Sequence, residues 1–267
     1  MSDPECVAFL QWALPQLRMR WAGLRKVRRQ VCKRIARRRQ ELGLADLDAY
    51  RAYLDSDAGE WAFLDAMCRV TISRFYRDPG VFAALGREVL PALARDRAEV
   101  AAWSVGCASG EEPYTLSLLW ELELRGRFPA TRLSVLGTDA DSGLLQRAWG
   151  ACYRRSSLKD LPEAWLGAFE AKDGLLCLEG RYREPVTFLE QDLRAVAPQG
   201  PFDLVLCRNL VFTYFELDLQ REILARLIAS LRPGGALVIG AHETMPEHAG
   251  TFEPWPNAPS SYRVTVP

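Results

Sequence analysis

The stretch VAAWSVGCASGEEPYTLSLLW, residues 100–120, contains the features that decide the fold. An apolar run of β-forming residues, VAAWSVG, is followed by a turn of small residues and then by a helix-forming run, PYTLSLLWELEL. A strand that passes through such a turn into a helix is the form of a nucleotide-cofactor loop. The alternative is an ordinary tight turn in which Ser109 and Glu112 form a capping box.

Further apolar, β-forming runs follow this stretch and alternate with helix-forming segments. The alternation predicts an α/β fold, in which helices cover both faces of a largely parallel sheet. The segment RPGG (232–235) predicts a helix stop and a turn before the fifth strand. The predicted strands are VAAWSVG (100–106), LSVLGTD (133–139), VTFLEQD (186–192), FDLVLCRN (202–209) and ALVIGAHE (236–243), with SYRVTV as a candidate antiparallel edge strand.

The residues at the start of the first helix indicate the charge of the ligand. Phosphates favour a helix N-terminus without acidic residues, whereas Glu111 and Glu112 stand at this one. The glycines Gly106 and Gly110 are spaced as GxxxG, which is not the dinucleotide pattern GxGxxG. S-adenosylmethionine (SAM) carries a sulfonium and an ammonium group, so two carboxylates suit it. The loop therefore predicts SAM rather than a nicotinamide dinucleotide.

Acidic residues also end the second and third predicted strands. Asp139 stands where a carboxylate accepts hydrogen bonds from both ribose hydroxyls in nucleotide-binding folds. Asp192 is a candidate partner for the adenine amino group. Either residue alone is also consistent with a turn or a helix cap. Together with Glu112 they predict an acidic crevice at the carboxyl ends of three adjacent strands.

The N-terminal region is strongly basic. Residues 1–40 contain eleven Lys or Arg and two Asp or Glu, although the whole chain has a formal net charge of zero. A long helix is predicted from Arg18 to about Leu42, because apolar residues recur there at helical spacing. Three interpretations stay open for the basic helix 18–39: a solvated face, contact with an acidic protein surface, or contact with nucleic acid. The single Trp of that helix offers little base stacking, which disfavours the last.

Three parts are expected along the chain. Residues 1–72 form a basic helical N-terminal domain, 73–95 a linker and cofactor-contacting segment, and 96–267 a SAM-binding methyltransferase domain. A long connection before the third strand predicts a small β insert near 170–186, with LLCLEGRYREPV as a hairpin. Connections of this length in a compact domain are often functional.

Cysteines, histidines and hydropathy exclude other classes. The seven cysteines contain no CxxC pair, which predicts reduced thiols in a cytoplasmic protein rather than a zinc site or a disulfide framework. His242 and His248 are too few for a metal site. No apolar run is long enough to span a membrane. No signal peptide is expected, because no basic region precedes the N-terminal apolar stretch.

The motifs together closely resemble those of the CheR family of chemotaxis methyltransferases. The resemblance covers nearly the whole chain, and the GEEPY and CRN segments are its most specific parts. It implies a Rossmann-like class I SAM-dependent methyltransferase domain behind a small all-α N-terminal domain. The segments that carry it are SVGCASGEEPYTLSLLW, CRVTISRFYRDPGVF (68–82), LCRNLVFTYF, RPGG and IGAHE.

The resemblance also implies roles for individual residues. Arg77 matches the family arginine beside the cofactor and Tyr214 the tyrosine near the transferred methyl group, so these two are the predicted catalytic residues. The match has departures: Thr71 and Asp192 each replace an Asn, the segment after CRN is one residue longer, and the β insert is shortened. The predicted cofactor-binding residues are Thr71, Ser73, Arg77, Gly106, Glu112, Asp139, Asp192, Leu193, Arg208 and Asn209.

The resulting hypothesis is a SAM-dependent O-methyltransferase that forms methyl esters on glutamate side chains of a protein acceptor. Chemoreceptors are the expected acceptor, contacted by the basic helix 18–39, and S-adenosyl-L-homocysteine is the expected product. Two alternatives stay open. One keeps the chemistry but acts on another protein or a small carboxylate. The other is a non-catalytic SAM-binding protein that binds a partner or nucleic acid. Neither a metal nor membrane insertion is expected.

Overall fold

The computed structural model describes residues 2–247 and 252–265, so His248 lies outside the described residues. The chain forms two units. The helical unit comprises residues 2–72 and the segment Thr213–Leu219, and the α/β unit comprises Ser73–Phe212 with the described residues from Gln220 onward. Within the described ranges, no helix is both long and apolar enough to cross a membrane.

Short helices form most of the helical unit. The first begins at a capping box, in which the Ser2 and Glu5 side chains each accept a hydrogen bond from the other residue's backbone N–H. Asp46 caps a later helix by accepting a hydrogen bond from the Ala49 backbone N–H. The helices are α1 (Asp3–Ala13), α2 (Trp21–Leu24), α3 (Arg28–Glu41), α4 (Leu47–Ser56) and α5 (Glu60–Cys68), with a 3-10 helix at Leu14–Leu17.

The single helix predicted from Arg18 to about Leu42 is wrong, because α2 and α3 replace it. The segment before α2 bonds to another part of the chain. The Arg20 backbone N–H donates to the Tyr214 carbonyl at 2.8 Å, and the Glu216 N–H donates to the Arg18 carbonyl at 3.0 Å. These bonds replace helical ones, and no local pattern of residues 18–42 reveals them.

An ion pair is buried inside the helical unit. Arg38 donates to both carboxylate oxygens of Glu60, at 3.0 and 2.6 Å. The Tyr50 hydroxyl donates to the same carboxylate at 2.7 Å. Glu60 is 1% exposed, so these groups satisfy one another where water is excluded. Burial, reinforced by the Glu60 carboxylate, raises the pKa of Tyr50. The cluster joins α3, α4 and α5.

A largely parallel sheet forms the centre of the α/β unit, which confirms the predicted fold class. Its strands share one numbering with those of a second, smaller sheet. The main sheet contains β1 (Glu99–Val105), β2 (Arg132–Asp139), β6 (Val186–Glu190), β7 (Phe202–Cys207), β8 (Leu231–Ile239), β9 (Phe252–Pro254) and β10 (Ser261–Val264). The second sheet contains β3 (Cys152–Tyr153), β4 (Phe169–Lys172) and β5 (Leu175–Leu178). The order in the described residues is β6-β2-β1-β7-β8-β10-β9. The strands from β6 to β8 are parallel, and β10 is antiparallel to both of its neighbours.

Helices connect the strands of the main sheet. Helix α8 is buried along nearly its whole length, including Pro113 and Leu119, which explains why no charged residue follows its two glutamates. The helices are α6 (Pro79–Ala84), continued through a π-helical segment (Leu85–Val89) into α7 (Leu90–Ala94), then α8 (Glu111–Leu119), α9 (Ser142–Gly150), α10 (Gly180–Arg183), α11 (Val211–Tyr214) and α12 (Leu217–Ser230).

The strand around RPGG differs from the prediction. Strand β8 begins at Leu231, so RPGG lies inside the strand rather than in a turn before it. Phe202 pairs with Leu231 and Leu204 pairs with Ala236, so the segment between them bulges out of the ladder. The strand ends at Ile239, before His242 and Glu243. The first four residues of the predicted edge strand SYRVTV form β10 (Ser261–Val264), and its last residue lies outside the described residues.

The insert is a small second sheet with the order β3-β5-β4. Strands β4 and β5 form a hairpin that turns at Asp173 and Gly174, both with positive φ. The hairpin predicted over LLCLEGRYREPV is wrong in position: LLCL is its second strand, and Gly180–Arg183 forms α10. Two short 3-10 helices, Arg155–Leu158 and Glu163–Ala168, precede the hairpin.

Four of the seven cysteines form disulfides, so the expectation of reduced cysteines is wrong for them. Cys6–Cys32 joins α1 to α3, and Cys152–Cys177 joins β3 to β5. The sequence separations of 26 and 25 residues carry no motif, because packing of the elements creates both pairs. Cys68, Cys107 and Cys207 are free and buried, and burial raises the pKa of Cys68 to about 12.

Candidate cofactor site

The loop between β1 and α8 is held in a conformation that requires glycine. Gly106 has φ +64° and Gly110 has φ +88°, in the left-handed region that disfavours residues with a side chain. A Cβ at Gly106 would also lie 2.5 Å from the Leu210 side chain. The Cys107 backbone N–H donates to the Thr138 carbonyl at 2.9 Å. The loop therefore keeps a fixed backbone conformation at the end of the sheet.

The Asp139 carboxylate fixes the same loop from the end of β2. Its Oδ2 accepts a hydrogen bond from the Ala108 backbone N–H at 2.9 Å. Its Oδ1 accepts one from the Asp141 backbone N–H at 3.0 Å. Asp139 is half-buried, so the carboxylate that shapes the loop is not fully enclosed by protein.

A buried arginine at the end of β7 links three parts of the site. Arg208 donates from Nη1 to Glu112 Oε2 at 2.8 Å, and from Nη2 to Asp78 Oδ2 at 2.8 Å and to the Arg77 carbonyl at 2.7 Å. Its side chain is 1% exposed, and its guanidinium carbon lies 5.0 Å from the centroid of the Phe82 ring. Both Nη atoms thus bind protein groups, and Arg208 holds the Arg77 segment against the start of α8.

Glu112 lies between this arginine and β1. The Ser104 hydroxyl donates to Glu112 Oε1 at 2.8 Å, while Oε2 accepts from Arg208. The Glu112 side chain remains 16% exposed. Burial raises the pKa of Glu112, and the positive charge of Arg208 opposes that increase. The result is a partly accessible carboxylate whose charge depends on a buried cation.

Glu111 is the other acid of the loop. It is 3% exposed, and burial raises its pKa against the opposing effect of the Ser73 hydroxyl. The Ser109 hydroxyl donates to Glu111 Oε1 at 3.3 Å. The hydrogen bond between the Ser73 and Glu111 side chains therefore places Ser73 beside the loop.

The ends of β7 and β8 are joined by a carboxylate. Glu243 Oε2 accepts hydrogen bonds from the backbone N–H groups of Asn209 and Gly240, both at 2.7 Å. Asn209 has φ +56°, a left-handed conformation that Asn tolerates better than most residues. Glu243 thus holds Asn209 in the position that follows Arg208.

Asp192 lies just beyond β6, next to the end of β2. The Gln191 backbone N–H donates to the Asp139 carbonyl at 2.9 Å. Arg194 donates to both carboxylate oxygens of Asp192, with the shortest distance 2.7 Å from Nη2. Leu193 is 7% exposed. The pair leaves the Asp192 side chain 33% exposed.

Glu112, Asp139 and Asp192 therefore stand beside the ends of three neighbouring strands, around a glycine loop. Three carboxylates in this arrangement suit a positively charged ligand. A family model described as CheR methyltransferase, SAM binding domain, matches residues 71–259. The chain belongs to the CheR methyltransferase family. The resemblance inferred from the sequence is confirmed.

Relatives support the same family. The chain is 32% identical to the chemotaxis protein methyltransferase of Escherichia coli (strain K12) over 226 residues, which cover 81% of this chain and 76% of the relative. It is 31% identical over 221 residues to an uncharacterized 104.1 kDa protein of Rhodobacter capsulatus, covering 80% of this chain but 23% of that one. Among solved structures, the N-methyltransferase NodS from Bradyrhizobium japonicum, in complex with S-adenosyl-L-homocysteine, is similar at 15% identity and a TM-score of 0.34, over 61% of this chain and 63% of that one.

SAM is the cofactor of this CheR domain, which confirms the cofactor expected from the sequence. The site fits SAM by charge, since the partly exposed carboxylates of Glu112 and Asp139 lie beside the ends of β1 and β2.

The structure brings most of the predicted site residues together in the α/β unit, but not all. Thr71 and Tyr214 belong to the helical unit. Thr71 is exposed and Tyr214 is half-buried. All other predicted site residues lie in the α/β unit: Ser73, Arg77, Gly106, Glu112, Asp139, Asp192, Leu193, Arg208 and Asn209.

Sequence reasoning missed the residues that support this cluster. Asp78, the partner of Arg208, has a φ of +63°, which is uncommon for a residue other than glycine. Only the coordinates reveal this signal. Ser104 and Glu243 each bond to a predicted site residue. Their one sequence signal is position, because each lies at or just beyond the carboxyl end of a predicted strand.

Proposed function

We propose that this CheR-family protein transfers the methyl group of SAM to glutamate side chains of a protein acceptor, with chemoreceptors as the acceptor. The acid-lined glycine loop at residues 106–112, inside a domain that matches the CheR model, carries the proposal. The name chemotaxis protein methyltransferase, borne by relatives at 31–32% identity, supports chemoreceptors as the acceptor.

The residues assigned to the cofactor come from several parts of the chain. Glu112 and Asp139 present carboxylates to the ammonium group and the ribose hydroxyls, and Asp192 with Leu193 borders the adenine. Gly106 allows the left-handed turn that forms the loop. Arg208 and Asn209 lie at the end of β7 and are assigned to the cofactor by their match to the CRN segment of the family. Thr71, Ser73 and Arg77 are assigned to it by their match to the family pattern.

The chemistry requires alignment more than proton transfer. When bound, SAM supplies a methyl group on a positively charged sulfur, open to in-line attack by a carboxylate. A glutamate side chain has a reference pKa near ~4.3, so the acceptor is already ionised at neutral pH. The protein must orient that carboxylate and exclude water, and positioning of this kind lowers barriers by about 7–11 kcal/mol. Arg77 orients a carboxylate, and Tyr214 borders the methyl group.

Transfer from radiolabelled SAM tests this function. The protein is incubated with chemoreceptor cytoplasmic domains and, separately, with a panel of small carboxylic acids. Label on receptor glutamates that alkali removes as methanol supports the proposal, because methyl esters hydrolyse in base. Label confined to small acids, or label stable to alkali, would reject the proposed acceptor.

SAM binding should weaken as the pH falls through the raised pKa of Glu112. The pKa of Glu112 is raised from the ordinary value of 4.5 by burial, so the carboxylate takes up its proton at a higher pH than an exposed glutamate. Affinity is then lost as the pH falls through that raised pKa, approaching about tenfold per pH unit. Calorimetric titration with SAM between pH 4.5 and 8 measures this profile.

Two variants identify the group responsible. Glu112→Gln should bind SAM more weakly at neutral pH and lose most of the pH dependence. Glu121→Gln changes another acid of the α/β unit and should keep the wild-type profile. Identical profiles for wild type and Glu112→Gln would remove Glu112 from the proposed site.

The basic helix is proposed as the surface that contacts the acceptor. Arg29, Lys33 and Arg37 lie at successive i, i+4 positions of α3, so they share one face, and all three are exposed. Arg37 pairs with Glu41 at 2.8 Å. A row of cations on one helix face fits an acidic protein surface, which it attracts over roughly the Debye length of 8 Å.

Charge reversal on this face should weaken acceptor binding without affecting SAM. We expect Arg29→Glu/Lys33→Glu to raise the KM for the acceptor roughly tenfold at low salt, since rim charges act mainly on association and its salt dependence. A double variant with the same charge change elsewhere, Arg95→Glu/Lys159→Glu, provides the control. Equal KM values for the two double variants would place the acceptor surface elsewhere.

A further inference from the structure

The Cys152–Cys177 disulfide lines a surface groove of about 580 Å³ in the α/β unit. Both of its cysteines are partly exposed. In the other disulfide, Cys6 is fully buried and Cys32 is 9% exposed. Thiol–disulfide exchange requires a thiolate to reach one of the sulfurs. The two bonds therefore differ in access, and the one in the groove is open to attack.

Basic side chains line the same groove. Lys172, Arg181 and Arg183 lie on its walls, together with Glu170 and Glu179. Arg181 pairs with Glu179 at 3.0 Å. Nearby cations stabilise a thiolate and so assist its departure from a disulfide. The groove thus favours the step in which one cysteine leaves as a thiolate.

A short chain of contacts connects this disulfide with the cofactor loop. Tyr153 follows Cys152 directly, and its hydroxyl donates to the Ser109 carbonyl at 2.7 Å. Tyr153 is 5% exposed, and its ring meets Phe75 edge-on with the centroids 4.8 Å apart. Ser109 is followed by Gly110 and the start of α8. The position of Tyr153 is therefore coupled to the loop that carries Glu112.

Strand β3 is short. It is two residues long, and its pairing with β5 consists of Cys152 with Cys177 and Tyr153 with Leu176. The disulfide adds a covalent link to this short ladder and to the contacts that Tyr153 makes. Opening it gives Tyr153 more freedom, and the ordering lost at Ser109 must be restored when a ligand binds to the loop.

We propose that Cys152–Cys177 is a thiol–disulfide exchange site for a dithiol reductant, and that opening it lowers the affinity of the loop for SAM. A thiolate of the dithiol attacks one sulfur, the bond between the two cysteines breaks, and a mixed disulfide forms. The second thiol of the reductant then displaces the protein sulfur. The protein gains two electrons and two protons as two thiols, and the dithiol becomes a disulfide.

Reversible reduction of the full chain tests the proposal. The oxidised protein is treated with dithiothreitol without denaturant, new thiols are alkylated and located by mass spectrometry, and SAM binding is measured by calorimetry before and after reduction. We expect label at Cys152 and Cys177, since the free cysteines are buried. The Kd for SAM should rise about 5- to 10-fold, within the usual range of coupling between sites, and should return after reoxidation.

Variants separate this effect from general damage. Cys152→Ser/Cys177→Ser should show the weaker Kd whether or not reductant is present. Cys6→Ser/Cys32→Ser should keep the response to reduction. An unchanged Kd after the groove disulfide opens, or a bond that resists dithiothreitol in the native protein, would overturn the proposal. The readout is SAM binding without an acceptor, so the outcome is independent of the proposed acceptor.

Discussion

Replacing Arg208 with methionine is expected to destabilise the α/β unit by about 3–5 kcal/mol, the usual result when one partner of a buried ion pair is removed. The substitution leaves Glu112 and Asp78 without the cation that binds both of them. It also removes the donor to the Arg77 carbonyl. SAM binding should be lost together with stability, because Glu112 would take up a proton more readily in the absence of a neighbouring positive charge.

Urea unfolding, followed by circular dichroism and tryptophan fluorescence, measures the change in the free energy of unfolding. Arg125→Met is the matched control, because Arg125 is 47% exposed and reaches Glu121 only at 3.8 Å. Exposed pairs of this kind contribute at most about 1 kcal/mol. Arg208→Lys keeps the positive charge but cannot bind Glu112, Asp78 and the Arg77 carbonyl at the same time. Its loss of stability should therefore lie between the losses for Arg208→Met and Arg125→Met. A loss below about 1 kcal/mol for Arg208→Met would contradict the role given to this arginine.

Replacing Arg77 with alanine should lower kcat by about 100-fold, because a reacting carboxylate that is displaced by about 1 Å loses rate on that order. The backbone should stay in place, because the Arg77 carbonyl is held by Arg208 independently of the Arg77 side chain. The side chain is half-buried, and its positive charge acts on Glu112. The effect is therefore expected in turnover rather than in the stability of the fold.

Steady-state kinetics with the receptor acceptor, together with SAM calorimetry, separate turnover from binding. Arg74→Ala removes another partly exposed arginine of the same segment, paired with Asp160 at 2.8 Å, and should leave kcat within a few-fold of wild type. If Arg77→Ala raises only the Kd for SAM, Arg77 is a cofactor ligand. Full activity of Arg77→Ala would exclude it from the reaction.

Local pattern was sufficient to predict the framework of the α/β unit. The predicted strand 133–139 is β2 (Arg132–Asp139), and 202–209 contains β7 (Phe202–Cys207). Strand and helix periods act over a few residues, so they are visible in a single sequence. The placement of Asp139 and Asp192 at neighbouring strand ends follows from the parallel topology, which the βα alternation already implies.

The tertiary structure decided the features that join distant residues. Nothing near Arg208 in the sequence predicts that its side chain is almost fully buried between Asp78 and Glu112. Likewise, residues 18–20 leave their predicted helix because their backbone bonds to Tyr214 and Glu216. The disulfides have the same origin, since Cys152 and Cys177 meet only after β3 pairs with β5. The sequence alone determined the alternation of elements and the charge of the cofactor loop, because both are local. Burial, ion-pair partners and covalent cross-links depend on which elements pack together, and that choice is made by the whole chain.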